Sequence, residues 1–319
     1  MDRHRSRGRR ARPVRRTSIL CTVVASVVLV GVTGAGTVYV QAHAHDGKSL
    51  VSSASALPSA SPSAGEEASV EPVAEPSVDR DALLAKAMRS VTPAAGAKVS
   101  VAVLDVDSGE SAAYGDGTFD TASIVKVDIL ATLLLRAQDA DRRLTAQEKA
   151  YATTMIENSD NASATALWAA IGRADGLDAA NKRFGLTGTK GGDGELWGLT
   201  RTTAGDQLTL LQQVFGDDSE LAAASRTYLQ GLMGKIATGQ RWGVSAAADG
   251  GRWALKNGWL PRTATGLWDI NSIGRVTVDG HDYLVAALSD GNSTQAQGIS
   301  LVEAASEAAV GAFRDSGGK

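Results

Sequence analysis

The stretch DTASIVKVDILATLLL, Asp120 to Leu135, reads as an apolar helix with a serine and a lysine set into its first turn. Lysine is almost never fully buried without a partner, and an ammonium facing an apolar interior tends to shed its proton. Lys126 therefore either reaches out to water or takes part in chemistry. Ser123 precedes it by three residues, so on a helix the two share a face one turn apart and the amine can reach the hydroxyl. The first turn also lies in the positive field of the helix N-terminus, which favours a developing negative charge. A lysine desolvated to its neutral form can take the serine proton and leave an activated nucleophile. Alone, S-x-x-K is a motif that chance supplies often.

Two further polar constellations lie downstream. In MIENSDNASATAL, Ser159, Asp160 and Asn161 fall between two helical patterns, where they could serve only as caps. In WALKNGWLP, Lys256, Asn257 and Gly258 end an apolar strand pattern, and Asn-Gly by itself signals a two-residue hairpin turn. Trp259 follows, a side chain suited to packing on a strand face. The only histidine beyond the first 78 residues, His281, sits in VDGHDY beside an Asp-Gly turn and reads as a solvated turn residue. A Ser-His-Asp triad and a zinc site of His and Cys are thereby excluded in favour of lysine chemistry, and no G-x-S-x-G elbow is present.

Around these motifs, DRDALLAKAMRSV opens folded sequence as a helix, and KVSVAVLDVDSGESAAYG alternates about a DSGE turn as a hairpin. Helical patterns cover roughly 146–170, 176–184, 203–215 and 220–236. Strand signals return in RWALKNGWL and LWDINSIGRVTVDGHDYLVAALSD, and AQGISLVEAASEAAVGAFRD closes as a helix. Helix and hairpin first, helices in the middle, then strands and a last helix predict an α+β fold whose two ends share one sheet.

The ordered set S-x-x-K, S-D-N and K-x-G resembles the penicillin-recognising serine hydrolases, and S-D-N in particular resembles the class A β-lactamases. The likeness runs from about Asp79 to Phe313. It implies an antiparallel sheet flanked by helices plus an all-helical subdomain. It also implies that Ser123 is the acylated nucleophile, Lys126 its base or proton relay, and Ser159 the donor to the leaving nitrogen. Asn161 would bind the substrate's amide side chain and Asp160 would hold the turn. Lys256 would attract a substrate carboxylate, Gly258 completes the third motif, and the backbone N–H groups of Ser123 and Trp259 would form the oxyanion hole. The implied partner is a small β-lactam or a peptidoglycan stem peptide, opened at its amide by a monomer that needs no cofactor and no metal. A D-Ala-D-Ala peptidase, or an idle domain that binds wall fragments, are the alternatives.

Two positions depart from that family. Asn257 stands where threonine or serine would help hold the carboxylate. The loop GTKGGDGELWGLTRTT is short, and its one glutamate, Glu195, lacks the E-x-x-L-N context of the deacylation base. Glu195 is a catalytic candidate whose role requires burial and a water-mediated link to Ser123. Without such a base an acyl-enzyme would persist.

Further out, residues 1–16 hold eight arginines and one acid, and residues 17–41 begin with an uncharged apolar run long enough to span a bilayer. Arginines before the span predict an N-terminus in the cytoplasm and the rest outside, with an uncleaved anchor or, alternatively, a cleaved signal at Ala42 to Ala44. Residues 42–78, rich in Ser, Ala, Pro and Glu, read as a disordered linker, and 79–317 as the hydrolase domain. Cys21, the sole cysteine, lies in the apolar run, so the exported part can form no disulfide. The net charge is -3 and the tail carries +7, which leaves -10 on the remainder and excludes a nucleic-acid binder.

Overall fold

The computed structural model describes residues 78–314. The expected tail, membrane anchor and linker, and the last residues of the expected domain, lie outside them; among the described residues no helix is long and apolar enough to cross a membrane.

The chain enters through α1 (Arg80–Ala87), capped by the Asp79 side chain, which accepts from the Ala82 N–H. The hairpin of β1 (Lys98–Asp105) and β2 (Ser111–Tyr114) follows. After the long middle of the chain come β5 (Trp253–Pro261), β6 (Trp268–Val278), β7 (His281–Asn292) and α8 (Gln295–Arg314). These strands form one antiparallel sheet in the order β2-β1-β7-β6-β5. β1 pairs with β7 from Lys98 opposite Asp290 to Asp105 opposite Tyr283, which joins the two ends of the chain.

Both faces of the sheet are covered, so β1 is apolar on both sides rather than alternating. Val101 and Val103 pack towards α1 and α8, whereas Ala102 and Leu104 face the helical part. That part is built around α2 (Val125–Asp139), with α3 (Ala146–Glu157), α4 (Asn161–Ala170), α5 (Arg173–Phe184), α6 (Ala204–Phe215) and α7 (Ala223–Met233). Ile129, Leu130 and Leu133 of α2 are buried, each contributing about 2 kcal/mol by leaving water.

The polar break read at Ser159 to Asn161 separates two helices: Ser159 takes a left-handed conformation (φ +57°) and Asp160 caps a new helix, its Oδ1 accepting from the Ser163 N–H at 2.7 Å. Other expected bounds are corrected. The helix expected over 176–184 starts earlier, at Arg173, and that over 220–236 is confined to α7. Asn257 and Gly258 lie inside β5, as the strand signal in RWALKNGWL predicts, opposite Ser272 and Asn271 of β6; the alternative Asn-Gly turn does not form, because a full strand ladder outweighs a local turn preference. A two-residue ladder, β3 (Phe119–Asp120) with β4 (Arg201–Thr202), was not foreseen.

Candidate active site

Ser123 lies just ahead of α2 rather than in its first α-helical turn, in a 3-10 turn spanning Ala122–Ile124. Three neighbours hold this turn. Asn271 Nδ2 of β6 donates to the Asp120 and Thr121 carbonyls at 2.9 and 3.1 Å, and the Thr121 N–H donates to the Thr200 carbonyl at 2.8 Å. Ala122 takes a left-handed conformation (φ +47°), the kind of strained residue that persists where its surroundings over-determine it. β5, the edge strand, passes against the turn at Gly258, where a Cβ would lie 2.7 Å from both the Ser123 N and the Thr121 O. Only glycine permits that approach.

Lys126 is fully buried and lies on the same side as Ser123, its Nζ 3.0 Å from Ser123 Oγ. The same amine donates to the Ser159 carbonyl at 2.7 Å and Asn161 Oδ1 at 2.8 Å, and stands 3.0 Å from Ser159 Oγ. Burial lowers its pKa to about 7 against the opposing pull of the Asp160 carboxylate. At neutral pH a sizeable fraction of the amine is thus neutral, with a lone pair for the serine proton.

Lys256, also fully buried, comes in from β5: its Nζ donates to Ser159 Oγ at 3.1 Å and to the Asn257 carbonyl at 2.8 Å. Burial, and then the nearby Lys126, push its pKa well below the ordinary lysine value. The Ser159 hydroxyl therefore stands between two amines. The three sequence motifs, distant along the chain, converge here.

Asn257 does not face this group with its amide. Its side chain is fully buried and Nδ2 donates to the Gln240 and Trp242 carbonyls at 2.7 and 2.9 Å, which ties β5 to the segment before it. Glu195 and Ser123 line one cleft of roughly 660 Å³, together with Asn161, Trp197 and Trp259. The burial a base at Glu195 would need is absent: its side chain is 50% exposed, and Arg173 donates to Oε1 at 2.7 Å. His281 begins β7 at the surface beside Asp107, in keeping with a solvated position.

The sequence reading missed Trp197. Its indole lies over Lys126, with Nζ 4.9 Å from the ring centroid, and Nε1 donates to Thr165 Oγ1 at 3.1 Å. No periodicity announces an aromatic in a short irregular loop; the only signal was its place two residues after Glu195.

Comparison with known proteins identifies the family and the fold. The pattern described as the Beta-lactamase enzyme family matches residues 83–150 and 135–313. Proteins of Mycobacterium bovis and Mycobacterium tuberculosis named "Putative lipoprotein LppW" are 27% identical over 174 residues, 52% of this chain; the chain spans about half (55%) of their length. Among solved structures, an acyl-enzyme complex of a PBP-A point mutant with penicillin G superposes with a TM-score of 0.64 at 20% identity, covering 73% of this chain and 97% of that one. The TLA-1 extended-spectrum β-lactamase gives 0.66 at 16% identity, covering 73% and 99%. A class A β-lactamase from Bacteroides cellulosilyticus gives 0.64 at 17%, covering 74% and 99%.

Proposed function

The chain belongs to the β-lactamase enzyme family, and on that premise we propose that it is a serine acyl-transfer hydrolase in which Ser123 attacks the amide carbonyl of a β-lactam or of a cell-wall stem peptide. The observation that carries this reading is Lys126, fully buried, with its amine 3.0 Å from both Ser123 Oγ and Ser159 Oγ. Ser123 Oγ bonds to the carbonyl carbon as its proton passes to neutral Lys126 Nζ. The C–N bond then breaks as Ser159 Oγ passes its proton to the leaving nitrogen and is reprotonated from Lys126. Lys256 holds Ser159 in place from the far side. The N–H groups of Ser123 and Trp259 are suited to the oxyanion, each worth about 3 kcal/mol in such a site. Asn161 and Asp160 keep the roles of substrate contact and turn support.

Release of the acyl group is the slow step in this reading. Glu195, half exposed and committed to Arg173, is a poor general base, so the protein behaves more like a penicillin-binding protein than a resistance hydrolase. A fast β-lactamase is the second reading, favoured by the similarity to the TLA-1 fold. Placement at the membrane, with the domain outside the cytoplasm, fits the arginines that precede the apolar run and the lipoprotein name of the mycobacterial relatives.

Turnover of a chromogenic cephalosporin, read alongside intact mass, separates these readings. The expected result is a persistent adduct on Ser123 with little hydrolysis, both lost in Ser123→Ala. Rapid hydrolysis without an accumulating adduct would favour the second reading.

A further inference from the structure

The loop between Gly188 and Thr203 is where an acyl-enzyme of this kind would need a water-activating group, and it is built here around aromatic side chains. Trp168 Nε1 of α4 donates to the Gly194 carbonyl at 2.7 Å, and Trp197 Nε1 donates to Thr165 Oγ1 of the same helix at 3.1 Å. Within the loop the Leu196 N–H donates to the Asp193 carbonyl at 2.9 Å, and the Gly192 N–H to Thr200 Oγ1 at 3.1 Å. A Cβ on Gly198 would lie 3.9 Å from the Cα and the carbonyl oxygen of Ala122, next to the serine. The loop is thus fixed at both ends and in its middle, and the Trp197 indole is held over Lys126 rather than swinging in solvent.

That position has a consequence for water. Of the groups around Ser123 able to accept a proton from an attacking water, Glu195 is turned to Arg173, Lys256 is fully buried behind Ser159, and Lys126 is covered by the indole. The other sides of the amine are filled by Ser123, Ser159 and Asn161. A water hydrolysing the Ser123 ester must bond to the acyl carbon while a base takes its proton. The ester C–O bond then breaks and Ser123 Oγ is reprotonated.

We propose that Trp197 is a positioning residue that shields Lys126 from water and so sets the lifetime of the acyl-enzyme. The indole leaves Lys126 free to activate Ser123 in the first half-reaction, because the two are already 3.0 Å apart. It removes the face from which the same amine could activate water in the second. This inference rests on Ser123 being the acylated residue.

The test is the decay of a Ser123 adduct, formed with benzylpenicillin or its methyl ester, followed by intact mass after removal of free reagent. Trp197→Ala is expected to shorten the half-life at least about tenfold, a modest part of what a positioned base contributes. Trp197→Phe, which keeps an aromatic face, should stay within roughly threefold of the native protein by the same reasoning. Trp197→Gln, which keeps a donor for Thr165 without an aromatic face, should behave like Trp197→Ala and guards against collapse of the loop. The pH at which acylation is half-maximal should rise in the Ala and Gln variants, because Lys126 regains hydration, and a merely structural role would not move it. Equal half-lives in native, Ala and Gln proteins with unchanged melting would overturn the role of Trp197 while leaving acylation intact. No adduct in any of them would instead overturn the acylation reading, and this inference with it.

Discussion

Lys126 and Asp128 are neighbours on α2 that burial drives in opposite directions. Desolvation penalises whichever form is charged, so the amine loses its proton more easily and the carboxyl keeps it longer. For Lys126, lowered to about 7, the reactive form is the deprotonated one. The rate of Ser123 acylation should therefore rise with pH and reach half its plateau near pH 7; a rate flat from pH 5 to 9, measured by quenched-flow mass spectrometry, would remove Lys126 from the base role. Asp128 is fully buried beside Asn181 and Thr132, and burial, reinforced by Asp178 and Asp206, raises its pKa to about 7. The folded protein holds a proton there that the unfolded chain releases above about pH 4, so this group stabilises most at low pH and its contribution fades as pH rises to about 7. Asp128→Asn keeps the shape of the protonated acid. It should raise the melting temperature at pH 8, by up to the equivalent of about 4 kcal/mol, and change it little at pH 4; identical melting-versus-pH curves would contradict that.

At the scale of elements, the site depends on how closely β5 approaches the turn that precedes α2. Gly258→Ala would set a methyl 2.7 Å from the Ser123 N and the Thr121 O, so either the strand or the turn must move. Acylation should fall at least about a hundredfold, since misplacement near 1 Å is enough to do so, while the far-ultraviolet dichroism stays native. Retained acylation would mean that the register between strand and turn is unimportant. This contact also marks what could be read from the sequence. The S-x-x-K spacing, the polar break before α4 and the strand pattern around Lys256 were legible, because each is a local pattern of period or capping. Asn257-Gly258 offered a competing turn, but the turn preference of two residues yields to nine paired positions between β5 and β6. Trp197 and the β3–β4 ladder were not legible, because a contact across a loop or a two-residue strand leaves no periodicity.

At the scale of the described domain, nothing local assembles the site. Ser123 and Lys126 come from the start of the helical part, Ser159 and Asn161 from the junction of α3 and α4, and Lys256 from a strand that reaches its place only when β5, β6 and β7 join β1. Buried clusters on both faces of the sheet hold these pieces in register. The layout was foreseeable as α+β, because strands at both ends of a helical middle can bury their faces only by pairing with one another. How far the motifs approach was not, because it depends on the packing of the whole. The most direct measurement is intact mass with peptide mapping after incubation with benzylpenicillin, as the acid and as its methyl ester, for the native protein and Ser123→Ala. The expected result is a one-equivalent adduct on the peptide containing Ser123, lasting well beyond the removal of free reagent and missing from the variant. No adduct with either reagent, or the same adduct in Ser123→Ala, would contradict acylation at Ser123.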